Sequence, residues 1–247
     1  MKKLFLLTVL LASAAYAGDG AVSLSPAVIM LRGDAGQSTT QTLLLRNGTS
    51  RALSYDVLAQ DVVVRDGKRV MIDAGQMPAS IAATAVFSQR KIKVLPGESA
   101  TVTATFTIPP NASSRAVVAL FRGTDIIRNA TASLGALLTF TLSGAPALTT
   151  DPLKIQPQSA TANLSVAQTC TNSGSEPLVA KGMLAVIGAD GRIAGKAALT
   201  PRRLLPGERA ELGAQYGADL QPGRYRVLVT YDYEGLALTQ SAEVTIP

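Results

Sequence analysis

Three short landmarks occur twice in this chain, in the same order, which points to two related folding units in a row. The first is Asn47-Gly48-Thr49-Ser50-Arg51-Ala52-Leu53, echoed by Asn172-Ser173-Gly174-Ser175-Glu176-Pro177-Leu178. The second is Asp66-Gly67, echoed by Asp190-Gly191. The third is Leu95-Pro96-Gly97-Glu98, echoed by Leu205-Pro206-Gly207-Glu208. The copies lie about 125, 124 and 110 residues apart, so the first copy holds about 14 extra residues between its second and third landmarks. Such a period is too long for a solenoid, whose units run to about 20–50 residues. It fits two tandem β-sandwiches of about 100 residues each.

The pattern of side chains reads as β throughout. Leu53, Tyr55, Val57 and Ala59 alternate with Ser54, Asp56 and Leu58, as a half-buried strand requires. Val102, Ala104, Phe106 and Ile108 alternate with threonines, and Tyr225, Val227, Val229 and Tyr231 with Arg226, Leu228 and Thr230. Asp66-Gly67 supplies the positive φ of a type I′ hairpin turn, and Asp190-Gly191 is expected to repeat the device. Pro-Gly pairs at 96–97, 206–207 and 222–223 mark further turns. Only Pro78 to Val86 leaves helix open. The expected fold class is all-β, with two tandem immunoglobulin-like sandwiches over residues 18–147 and 148–247. The boundary falls near Gly144-Ala145-Pro146 to Asp151-Pro152, where two prolines flank a short, stiff linker.

Residues 1–17 read as an export signal. Met1-Lys2-Lys3 is a positive start, Leu4 to Leu11 a short apolar core, and Ala15-Tyr16-Ala17 a cleavage site before Gly18. The apolar run is shorter than the about 20 residues that a membrane helix needs, and no transmembrane segment is expected elsewhere. The expected destination is the periplasm. Removing Lys2 and Lys3 lowers the net charge of +6 by two. The remaining Lys and Arg are scattered in ones and twos without aromatic interleaving, so the basic balance reads as a solvated surface and not as a nucleic-acid site. The single cysteine, Cys170, cannot form an intramolecular disulfide, and its parity with Leu164 and Val166 predicts a buried thiol.

The chemistry-bearing residues are sparse. The chain has no histidine and one cysteine, which removes the commonest general base, the Ser-His-Asp arrangement and cysteine-based metal clusters. Asp and Glu are few and concentrate in turns, as at Asp66, Asp190, Glu98 and Glu208. Asp61, Asp66 and Asp73 match no calcium-loop spacing. The sequence therefore predicts no enzyme, no catalytic residues, no metal site and no cofactor. The absence of Trp argues against a sugar-binding face.

One predicted strand stands out. From Ala130 to Leu142 the even positions read Ala, Ala, Leu, Ala, Leu, Phe, Leu, and the odd ones are Thr, Ser, Gly or, once, Leu137. Such a strand would be roughly twice the usual length. Two readings follow. The even row faces the domain's own core, or part of it overhangs and offers Leu134, Ala136, Leu138 and Phe140 to a partner by strand addition.

Residues 22–143 resemble the first domain of the PapD-like periplasmic pilus chaperones. The resemblance rests on the opening Val22-Ser23-Leu24, the Gly36-Gln37 turn, the strand Thr42 to Arg46 ending in Asn47, and the block Phe87 to Glu98 with its Leu95-Pro96-Gly97-Glu98 end. It implies a chaperone that caps pilus or surface-fibre subunits, with an outer-membrane assembly protein as a further partner. It also implies that the strand at 130–142 is the one donated to an incomplete subunit. The family's two carboxylate anchors are absent. Pro26 stands where an Arg is expected, and Leu137 or Thr139 where a Lys is expected; Arg32 is the first basic residue after Lys3. The alternative is a structural or adhesive component of a surface fibre or envelope complex.

Overall fold

The computed structural model describes residues 21–112, 114–124, 133–159 and 162–247. The export signal and Ala130 to Ala132 of the long predicted strand lie outside the described residues. Within them, strands follow in the order β1 (Val22–Ser25), β2 (Val28–Arg32), β3 (Ser38–Asn47), β4 (Leu53–Arg65), β5 (Lys68–Asp73), β6 (Val86–Phe87), β7 (Lys91–Val94), β8 (Ser99–Thr107), β9 (Ala116–Gly123) and β10 (Ser133–Thr141). Then come β11 (Leu148–Thr150), β12 (Lys154–Gln156), β13 (Leu164–Asn172), β14 (Leu178–Gly188), β15 (Ile193–Leu204), β16 (Arg209–Tyr216), β17 (Gly223–Tyr233) and β18 (Leu236–Ile246). The ambiguous stretch at Pro78–Val86 contains a single 3-10 turn, Ala82–Thr84.

The strands form two immunoglobulin-like β-sandwiches. In the first, the sheet β1-β3-β8-β6 faces the sheet β2-β10-β9-β4-β5, with β7 also paired to β4. The inward rows of β8 (Val102, Ala104 and Phe106) and β4 (Tyr55 and Val57) are those the alternation marks, and Leu43 and Leu45 on β3 and Val117, Ala119 and Phe121 on β9 join them in the core. Phe106 meets Phe87 and Phe140 edge-on, with ring centroids 6.2 and 6.4 Å away. In the second sandwich, β13 pairs with β11, β12 and β16, opposite the sheet β15-β14-β17-β18. Its core gathers Leu164, Val166, Cys170, Leu184, Val186, Val227, Val229 and Tyr231. With few aromatic residues, both cores depend on close packing of aliphatic side chains, each worth about 1.5–3 kcal/mol when fully buried.

The duplicated landmarks turn out to be one hydrogen-bonded device built twice. Leu95-Pro96-Gly97-Glu98 is a type II turn, closed by Glu98 N–H to Leu95 O at 3.1 Å, with Gly97 at φ 75°. Asn47, fully buried at the end of β3, grips this turn. Its main-chain N–H donates to Glu98 O at 2.9 Å, and its carbonyl accepts from Gly97 N–H at 2.8 Å. Its side-chain Nδ2 donates to the carbonyls of Arg51, Val94 and Leu95 at 2.6, 3.0 and 3.3 Å, and its Oδ1 accepts from Thr49 N–H at 2.9 Å. Asn172 repeats the grip on the Leu205–Glu208 turn. It donates through Nδ2 to Glu176 and Leu204 carbonyls at 2.8 and 3.0 Å, and its main chain exchanges bonds with Glu208 and Gly207. A buried amide must satisfy both ends of its side chain, and this position does so by tying two loops together.

The Asp-Gly hairpins do not repeat each other. Asp66 and Gly67 both have positive φ, 51° and 75°, as a type I′ turn requires. In the second copy only Gly191 does, at φ 78°. There Asp190 Oδ1 accepts from Arg192 N–H at 3.0 Å, and the ladder shifts register between Val186 and Ile187. The extra residue in that loop makes a bulged hairpin.

Cys170 is fully buried on the inward row of β13. Gln168 shares that row and is also buried, but its amide is satisfied. Its Nε2 donates to Asp151 O, and its Oε1 accepts from the Tyr231 hydroxyl at 2.8 Å. Burial pushes the Cys170 thiol up from 9.0, partly offset by a hydrogen bond with Tyr231, while the charge of Asp151 adds to the rise. The folded-state value lies above the unfolded one. The thiol's contribution to stability is therefore complete below the unfolded-state value and is lost as pH rises through the folded-state value. Native labelling of Cys170 by a thiol reagent near pH 8 should be at least about a hundredfold slower than labelling in denaturant. Comparable rates in the two conditions would contradict a packed core around the thiol.

Candidate partner-binding edge

The strand that the sequence singles out is β10, and its two edges differ along its length. On one side it pairs antiparallel with β9 from Ser133↔Arg122 to Thr139↔Ala116. On the other it pairs in parallel with β2, but only from Leu137↔Val28 to Thr141↔Arg32. The first bond on that side runs from Leu137 N–H to Ala27 O at 2.9 Å. Among the described residues no strand pairs with Ser133 to Ala136 on this edge. Residues of odd number point their main-chain groups toward β2, so Ser133 and Gly135 present N–H and C=O groups at an open sheet edge.

Pro26 decides where the cover begins. The first segment of the chain pairs as β1 with β3 in one sheet and then as β2 with β10 in the other. Between them the Ser25–Pro26 bond is cis. Proline has no N–H to give to either ladder, so neither continues through it. The position where the family resemblance expects an Arg is thus the crossover itself. The positions where it expects a Lys are also occupied. Leu137 is half-buried, and Thr139 is buried with its hydroxyl donating to Ile29 O at 3.4 Å.

The predicted row divides. Ala136, Leu138 and Phe140 are fully buried in the first sandwich's own core, and the partner-facing assignment does not extend to them. The physical reason is that β9 and β2 flank this half of β10, while Phe106 of the opposite sheet packs on Phe140. Leu134 is half-buried at the margin of the core, opposite Phe121 and beside the open edge. Gly135 has a local cause, because a Cβ there would lie 2.7 Å from Val118 Cγ1.

Other chemistry does not gather into a site. Asp61 is buried and accepts from Ser80 Oγ and from Ala82 N–H at 3.2 Å, holding the start of the 3-10 turn. Asp73 accepts from Gln60 Nε2 at 2.7 Å, and Asp66 sits in its hairpin turn. Among the described residues no three His, Cys, Asp or Glu side chains group as metal ligands. An open groove of about 370 Å³ runs along Ser54, Asp56, Lys91, Lys93 and Thr124. No helix of the described residues is long and apolar enough to cross a membrane.

No protein-family model matches this chain, and no curated protein does. Among solved structures it is similar to the class 5 fimbriae chaperone CfaA, at 13% identity and a TM-score of 0.46, over 92% of this chain and 99% of that one. It is similar to a chaperone–tip adhesin complex of CFA/I fimbriae at 12% identity and a TM-score of 0.46, over 92% and 99% of the two chains. It is also similar to the CsuC-CsuE chaperone–tip adhesion subunit pre-assembly complex of Acinetobacter baumannii, at 9% identity and a TM-score of 0.44, over 90% and 98%.

Proposed function

We propose that this is a non-enzymatic, chaperone-like protein of the periplasm that binds pilus or surface-fibre subunits by strand addition to β10. The observation that carries the reading is the open edge at Ser133–Ala136, which continues directly into a strand locked on both sides. A guest strand laid there would bond to the main-chain groups of Ser133 and Gly135 and pack beside Leu134. The rigid half of β10 would hold that edge in a fixed line. The sequence resemblance of residues 22–143 to pilus chaperones supports the same reading, as does the lack of histidine or a thiolate for catalysis. An outer-membrane assembly protein fits as a second partner. Cleavage before Gly18 and a domain division at 147/148 complete the proposal.

The test is capture in the native envelope. Wild-type protein is expected to co-purify with fibre subunits. Ser133→Pro, which deletes an edge-facing N–H without touching the β9 ladder, should lower capture at least about tenfold, and so should Leu134→Asp. Undiminished capture by both variants, or no fibre subunit with the wild type, would overturn the reading.

A further inference from the structure

The sheet β15-β14-β17-β18 ends in two strands that are treated very differently. β15 carries Lys196, Arg202 and Arg203, shifts register twice against β14, and places Pro201 at one of those shifts. These are the devices that keep an edge from pairing with another chain. β18 has none of them. It runs 11 residues from Leu236 to Ile246 in unbroken register with β17, contains no proline, and carries Glu243 as its one charge. Among the described residues no strand pairs with its outer side.

The hairpin fixes which groups are free. Glu234 and Gly235 have φ 48° and 81°, a type I′ turn, so Tyr233 and Leu236 close the ladder as a hydrogen-bonded pair. Even-numbered residues of β18 therefore bond to β17. Ala237, Thr239, Ser241, Glu243 and Thr245 turn their N–H and C=O groups outward.

We propose that β18 is a self-association edge, on which a second copy of this chain pairs antiparallel about a two-fold axis at Ser241. That register uses all five outward residues: Ser241 meets Ser241 of the second copy, Thr239 meets Glu243, and Ala237 meets Thr245. About ten main-chain hydrogen bonds form. The inward row matches as well. Leu236, 48% exposed, comes opposite Ile246, half-buried Leu238 opposite Val244, and Gln240 opposite Ala242. Glu243 never faces its own counterpart. The large apolar residues meet one another, Leu236 with Ile246 and Leu238 with Val244, and the sole charge meets a hydroxyl, which is the self-complementarity that an isologous interface demands. The two four-stranded sheets become one of eight strands. This pairing uses the second sandwich alone and is independent of β10.

Sedimentation velocity of the mature chain at about 1, 10 and 100 µM tests it. The wild type should shift from monomer toward dimer with concentration. Ser241→Pro removes an outward N–H and leaves the β17 ladder whole, so it should stay monomeric with an unchanged melt, while Ser241→Ala should follow the wild type. A wild type that is monomeric throughout, or a Ser241→Pro variant that dimerises equally, would overturn the proposal. The register has its own check, which also serves should Ser241→Pro melt early. Facing Cα atoms of a hydrogen-bonded pair lie about 5.5 Å apart, within disulfide reach. Ser241→Cys should cross-link two chains on oxidation and Thr239→Cys should not. Equal cross-linking by both, or none by Ser241→Cys, contradicts the two-fold at Ser241.

Discussion

Asn47→Asp is expected to destabilise the first sandwich severely, although it changes a single atom type. The amide Nδ2 faces three carbonyl oxygens, those of Arg51, Val94 and Leu95. A carboxylate there would set acceptor against acceptor at a site with no solvent exposure. Losing the bonds and burying an unpaired charge should cost about 3–5 kcal/mol, against a total domain stability of about 5–15 kcal/mol. Asn47→Ala should cost about half as much, since it removes the donors without adding a charge. Asn172→Asp should do to the second sandwich what Asn47→Asp does to the first. Thermal melts combined with limited proteolysis would assign each loss to its unit. A melt within about 2 °C of wild type for Asn47→Asp would refute the clamp.

The second large effect separates two leucines four residues apart. Leu138→Asp should unfold the first sandwich, because Leu138 is fully buried between β2 and β9 and a lone carboxylate there costs several kcal/mol, of the order of the whole stability. Leu134→Asp should cost only about 1 kcal/mol, because its side chain reaches solvent at the margin and can turn outward. Circular dichroism melts of the two variants decide this directly. If Leu134→Asp melts as early as Leu138→Asp, Leu134 is core as well and the edge has no apolar residue to offer.

The duplication was legible from sequence because it is carried by turns, whose residue types are dictated by backbone angles. Gly97 and Gly207 must supply positive φ wherever the turn occurs. The inward rows of β4, β8 and β17 were legible because strand side chains alternate strictly. The alternation of β10 defines a row of side chains over Ser133–Thr141, but periodicity cannot say what lies beside a strand. The cover over Leu137–Thr141 comes from β2, whose Ile29 bonds to Thr139 across 110 residues of sequence, and no local signal reports that pairing. The Asn clamp was visible as a landmark without its meaning, for the same reason: Asn47 and its turn are distant in sequence and joined only in space. The Asp190 turn differs from the Asp66 turn because the loop lengths differ, which the dipeptide alone does not encode. Glu234-Gly235 carries no strong turn signal in sequence, because Glu is an unusual residue at positive φ.

The crossover at Pro26 works as a ruler. Because β2 enters alongside β10 directly after it, the number of residues from Pro26 to the first parallel pair sets how much of β10 stays bare. Moving the proline two positions earlier, with the strand extended to match, would cover Gly135 and shorten the bare edge by one bonding step. Moving it later would lengthen that edge by the same increment. The length of unpaired edge on β10 is thus written in the spacing around Pro26, far in sequence from the strand it leaves bare.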